Sequence, residues 1–173
     1  MSGLACTIRL GDLARGPLSF SLTASPEECA SIARDMDLIA LERLEATLQV
    51  RPWMDGAEIT GRLQATVTQE CGVTLDPFDS EVETDIRLHV VPQGSPHAPA
   101  ETGELELDPD ADDPPDVMTG PEIDLAAVVV EHLALSLDPF PRKPGAEFEP
   151  PPAAPAESPF SVLRGLGSKD EGK

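Results

Sequence analysis

Tyrosine is absent from this chain of 173 residues, and one Trp and five Phe stand against nineteen Pro and thirteen Gly. That balance excludes a chain packed from end to end, because part of it must be turn or linker. Long apolar runs are missing too. The longest, LAAVVV at Leu125–Val130, falls far below the ~20 residues that cross a bilayer. The opening MSGLACTIRLGDLARG sets Arg9 and Asp12 where a signal peptide needs an apolar stretch. A soluble, cytoplasmic protein with no membrane partner is expected.

Cysteine is sparse. Cys6, Cys29 and Cys71 are odd in number and far apart, unlike a disulfide framework or a close-spaced zinc site. Basic side chains are scarce as well: 12 Lys and Arg face 32 Asp and Glu, for a formal net charge of -20. Such a chain repels phosphate at long range, so composition supports neither DNA nor nonspecific RNA binding. The charge is concentrated, since residues 92–141 hold twelve acidic side chains and no basic one.

What is present reads as one domain, residues 1–148, followed by a Pro-rich flexible tail, 149–173. Ser25-Pro26-Glu27-Glu28 combines a capping hydroxyl, a Pro at the first helical position and a Glu at the third. A helix over 26–40 follows, with Cys29, Ile32, Ala33, Met36, Ile39 and Ala40 on its apolar face. From Leu44 the period becomes two: Leu44, Ala46, Leu48 and Val50 alternate with polar residues. Asp55-Gly56 supplies turn residues, and a second alternation runs from Ile59 through Leu63, Ala65 and Val67 to Cys71 and Val73. Asp76-Pro77 turns the chain into a third strand carrying Val82, Thr84, Ile86, Leu88 and Val90. Residues 6–10 and 18–22 are further strands that could extend the same sheet.

Residues 92–120 are rich in acids and prolines and poor in apolar bulk, which predicts a disordered acidic loop. Ile123-Asp124 with Val128 reads as a hydrophobic staple around an N-cap, opening a deeply buried helix that Pro139 and Pro141 end. Beyond it, Ser158-Pro159 could cap one short helical turn. The fold class is α+β: an antiparallel β meander or partly closed barrel packed by two helices.

No catalytic or metal site stands out. Asp108, Asp110 and Asp112 imitate the first ligands of a calcium loop, but Asp113 and Thr119 occupy the positions of its Gly and bidentate Glu. His89 and His97 read as surface residues and His132 as a helix-flank residue, and adjacent Glu131 and His132 do not face each other on a helix. Cys71, in phase with the apolar face, reads as a buried thiol. Arg142-Lys143 is the one adjacent basic pair, either plain surface or a docking point for phosphate or an acidic patch. No cofactor is expected.

The tetrapeptide LDPF occurs at 75–78 and at 137–140, after unlike sequences. Together the stretches ASPEECASIARDMDLIALERLEATLQV, VTQECGVTLDPF and EIDLAAVVVEHLALSLDPFPRKPGAEF resemble the YceD family, named for large ribosomal RNA subunit accumulation, and look closest to its alphaproteobacterial branch. Each LDPF then closes a separate family signature. The family positions are Cys71, Leu75 and Pro77 in the first and Ile123, Asp124, Glu131, Leu135, Leu137 and Pro139 in the second. Many relatives carry C-x-x-C-L at the first signature. Here Thr74 replaces the second thiol.

The resemblance implies a bacterial, non-enzymatic factor promoting accumulation of large-subunit (23S) ribosomal RNA. Its partner would be that RNA or its precursor, met directly or through a basic ribosomal protein. Arg142 and Lys143, read from the residues alone, are the candidate contact. Two alternatives are an acidic chaperone for a basic ribosomal protein, and an enzyme such as a hydrolase.

Overall fold

A computed structural model describes residues 4–99 and 113–148. The strand β1 (Thr7–Arg9) leads through a 3-10 helix (Leu10–Arg15) to β2 (Leu18–Thr23) and α1 (Pro26–Asp35). Three long strands follow, β3 (Ala40–Trp53), β4 (Gly56–Glu70) and β5 (Pro77–Pro92). Then come β6 (Asp116–Met118), β7 (Glu122–Asp124) and α2 (Leu125–Ser136). Strands β2-β3-β4-β5-β6 form one sheet in that order, antiparallel except for the parallel β5–β6 pair.

The expected meander is the centre of this sheet. Its register sets Leu44 beside Ala65, Ala46 beside Leu63 and Val50 beside Ile59, so the apolar residues of both strands share one face. Those side chains are buried with Cys29, Ile32 and Ala33 of α1 and Leu125, Val129 and Leu133 of α2. The opposite face is polar and open. Sixteen residues of β5 reach from Pro77 onward, longer than the alternation alone suggests, because Asp79, Glu81, Glu83 and Asp85 continue the strand on the open face.

Both caps form. Ser25 Oγ accepts from Glu28 N and the Glu28 carboxylate accepts from Ser25 N, and Glu28 also receives Leu4 N at 3.0 Å, tying the N-terminal segment to α1. Asp124 accepts from the amides of Ala126 and Ala127.

Several expectations need correction. The first helix ends at Asp35, not residue 40: Asp37 turns left-handed at φ 54, Ile39 is exposed and its N–H already joins Thr68 of the sheet. The hairpin turn residues are Met54 and Asp55, with Met54 at φ 52. Gly56 instead begins β4, where a Cβ would collide with the Val90 carbonyl. Close approach, rather than a turn angle, requires glycine there.

The sheet is open and not a partly closed barrel, since β2 and β6 are its two ends and do not pair. Only β2 of the N-terminal strands joins it. β1 pairs with β7 in a separate two-stranded sheet, and Leu125 N bonds to Cys6 O. Part of the segment 92–120 is ordered structure: Ser95 is buried and donates to Asp55, and β6 pairs with β5 and buries Met118. The rest of that loop, 100–112, lies outside the described residues, as do the tail 149–173 and its Ser158-Pro159 turn. Helix α2 is half-buried rather than deep, with Glu131 and Leu135 exposed and only Leu125, Val129 and Leu133 sealed in. Its N-terminal stapling partners, Ile123 and Val128, pack against the core as the pattern predicts.

Candidate functional site

The chain leaves β4 at Glu70 and closes a tight turn, with Cys71 N donating to Asp76 O at 2.9 Å and Leu75 N to Cys71 O at 2.8 Å. Leu75 takes φ 59 and is 68% exposed. A bulky side chain in the left-handed region is strained, and such strain persists only where surrounding structure fixes it. Here the paired backbone of the turn fixes it.

The segment leaving α2 docks onto this turn. Gly72 N donates to Pro141 O at 2.9 Å, Lys143 N to Cys71 Sγ at 3.3 Å and Gln69 Nε2 to Asp138 O at 3.5 Å. Phe140 N is held by Asp138 Oδ1 at 2.8 Å. Lys143 Nζ lies 3.8 Å from Asp76, an exposed pair that adds at most ~1 kcal/mol. The two LDPF turns therefore belong to one junction, although more than sixty positions separate them.

Cys71 is not on the strand but just past it, and it is sealed from solvent without belonging to the apolar core. Its neighbours are polar. The Thr74 hydroxyl, followed by the amides of Lys143, Thr74 and Val73, stabilises a thiolate and brings the thiol down to about 7. The other two thiols move the opposite way: burial raises Cys6, aided by nearby Asp124, and burial also raises Cys29. Cys71 thus serves as an acceptor gathering two chain segments. Thr74 supplies a hydroxyl to it.

Beside this lock, exposed apolar and basic side chains stand with the acids Asp76 and Asp138. Phe140 and Phe148 are 77% and 72% exposed, and Arg142 and Lys143 are exposed between them in sequence. Among the described residues Arg142 makes no ion pair. The junction thus gathers Cys71, Leu75, Pro139, Arg142 and Lys143 of the sequence-derived positions. Pro77 pairs with Glu70 beside the turn and opens β5, and Leu137 enters the junction from the core side. The remaining positions lie elsewhere: Ile123 is in β7 and Asp124 caps α2, whose twelve residues span about 18 Å. Glu131 and Leu135 point to solvent from the same helix, and His132 Nδ1 pairs with Val128 O at 2.9 Å.

A second polar cluster was illegible in the sequence. Glu58 lies on the open face yet is buried, paired with Arg51 across the hairpin and 3.5 Å from His89 Nε2. His89 stacks on Trp53 with ring centroids 4.2 Å apart, so it is not the surface residue expected. The Arg51–Glu58 pairing follows from the hairpin register, but a period-two pattern assigns Glu58 to solvent. Among the described residues no group of three His, Cys, Asp or Glu could hold a metal. Asp108, Asp110 and Asp112 lie outside those residues. No described helix is long and apolar enough to cross a membrane.

Comparison with known families gives a match to the YceD description, large ribosomal RNA subunit accumulation protein, over residues 59–165. It spans both signatures and runs past residue 148, while the capped helix that also suggested the likeness lies before it. No curated protein and no solved structure matched the chain.

Proposed function

This chain belongs to the YceD family, and on that premise we propose that it is a non-enzymatic, cytoplasmic factor promoting accumulation of large-subunit ribosomal RNA. The family's description ties it to that process and thus to ribosome biogenesis. The observation that carries the reading is the match over both signatures, joined with their docking into one exposed surface of Leu75, Phe140, Arg142 and Lys143. Exposed Phe rings offer stacking faces, and the basic pair offers attraction to phosphate, in an otherwise acidic protein.

A second reading, an acidic escort for a basic ribosomal protein, is favoured by a different observation. The open face of β5 presents Asp79, Glu81, Glu83 and Asp85, and twelve acids without a base occupy residues 92–141. Electrostatics permits such a surface to cover a cationic partner before RNA does.

Deleting the gene and following precursor and mature large-subunit RNA tests the common premise. Loss of mature RNA is the expected result, and normal levels of both would reject it. Restoring the strain with an Arg142→Glu, Lys143→Glu variant separates the two readings. Failure to restore, with crosslinks to ribosomal RNA lost, supports the junction as the contact. Full restoration shifts the role to the acidic surface.

A further inference from the structure

Strand β5 pairs with β4 from Pro77 to Val90 without a register break, yet its outer neighbour β6 covers only Val90, Val91 and Pro92. Alternate backbone groups of a strand point to each side. The outer row from Pro77 to His89 therefore has no strand partner among the described residues. An edge of this length is an open template for another extended chain.

The charges along it select what can pair. Asp79, Glu81, Glu83 and Asp85 occupy alternate positions on the open face, roughly 7 Å apart along the strand. Their contacts all come from the inner side: Thr68 donates to Asp79, Thr66 and Arg43 to Glu81, and Arg62 to Glu83 and Asp85. Even so, the side chains of Glu81, Glu83 and Asp85 remain 68%, 53% and 74% exposed. Arg87 continues the same column, so the acidic stretch of the edge is Asp79–Asp85.

Two occupants are disfavoured by the same features. A second copy would bring acidic β5 against acidic β5. Continuing β6 backwards in its parallel register would set Asp112 and Asp110 opposite Ile86 and Thr84, on the face that packs against the helices, and Pro109, Pro114 and Pro115 have no N–H to give the ladder.

We propose that the outer edge of β5 between Phe78 and Leu88 binds an extended basic segment of a protein, with Lys or Arg at alternate positions, by strand addition. Main-chain pairing would supply affinity and the acidic column would fix register. The inference rests on the reading of this chain as a factor that meets ribosomal proteins, and it names the surface that would hold one.

The test uses the full-length protein and two synthetic peptides. One is Lys-Val-Lys-Thr-Lys-Val-Lys-Thr, and the other is the same peptide N-methylated at alternate residues, which keeps every charge but cannot complete a ladder. N-methylation should weaken binding by about tenfold or more through lost ladder hydrogen bonds, and the unmodified peptide should slow hydrogen exchange at β5 amides between Phe78 and Leu88. A Glu81→Gln, Glu83→Gln variant should bind correspondingly less while keeping its native circular dichroism. Equal binding of both peptides, or protection confined to other segments, would overturn the assignment. Normal ribosomal RNA in the deletion strain together with discriminating peptide binding would reject the assembly reading and leave the edge site standing. An RNA defect without discrimination would reject the edge site alone.

Discussion

The Lys143 amide donates to Cys71 Sγ at 3.3 Å across 72 positions of the chain. A thiol rarely serves as a structural acceptor in water, where a hydroxyl competes better, but here it is closed off from solvent among several donors. The contact makes one surface out of two turns.

That contact predicts a pH dependence. Because the thiol lies near 7 in the folded protein and near its higher ordinary value when unfolded, the folded state binds fewer protons between those limits. Stability from this group is therefore full above the ordinary thiol value and is lost as pH falls through about 7. Thiolate ultraviolet absorbance should show one thiol titrating near 7 and two above the ordinary range. Cys71→Ala should abolish the low step. It also leaves the donor amides of Lys143 and Val73 without an acceptor, costing roughly 1–3 kcal/mol in denaturant unfolding.

Leu75→Gly should separate stability from function. Glycine relieves the left-handed strain at φ 59, worth ~1–2 kcal/mol before the entropic cost of glycine is subtracted. Unfolding should show unchanged or higher stability. Complementation of the deletion strain should fall, because the exposed side chain is lost. Normal complementation would remove Leu75 from the working surface.

The cap of α1 also anchors the N-terminal segment, so Glu28→Gln should loosen both. Hydrogen bonds from Ser25 and Leu4 hold the Glu28 carboxyl below the usual range, and their stabilisation is lost as pH falls through that lowered value. Ser25→Ala should cost about 1 kcal/mol. Faster hydrogen exchange at Leu4 in Glu28→Gln, but not in Ser25→Ala, would verify the second role.

Gly61→Ala should be among the most damaging substitutions in the sheet. A Cβ there would overlap the Thr47 carbonyl and press on Leu48, backbone and core groups of the neighbouring strand β3. Overpacking of this kind costs on the order of 1–3 kcal/mol or more. A lowered thermal midpoint is expected, and an unchanged one would contradict the β3–β4 register.

Much of the fold was legible because its local signals agree. The capping box at Ser25, the staple around Asp124 and the alternation at Leu44–Val50 each state a period or a terminus that packing then honours. The extra length of β5 was harder to see. Its acidic residues resemble a solvated run, and only pairing to β4 makes them strand. Parallel strand β6 was hidden for the same reason, as Asp116-Val117-Met118 is too short to carry a pattern.

For the candidate site the division is sharper. By itself the sequence determined that Pro139 and Pro141 would end α2 and that Arg142-Lys143 would stand out against a net charge of -20, whereas burial of Cys71 was expected from a place on the apolar face of β4 that it does not occupy. The first two follow from residue type and local chain geometry. Only the tertiary structure decided that the Cys71 turn and the Pro141–Lys143 segment touch, that Glu58 is buried beneath Arg51 and His89, and that the outer row of β5 has no strand partner among the described residues. The first and last of these depend on where α2 and β6 come to rest against the sheet, set by burial of Leu125, Val129, Leu133 and Met118 in a shared core, and the second on the β3–β4–β5 register, none of which a local period encodes.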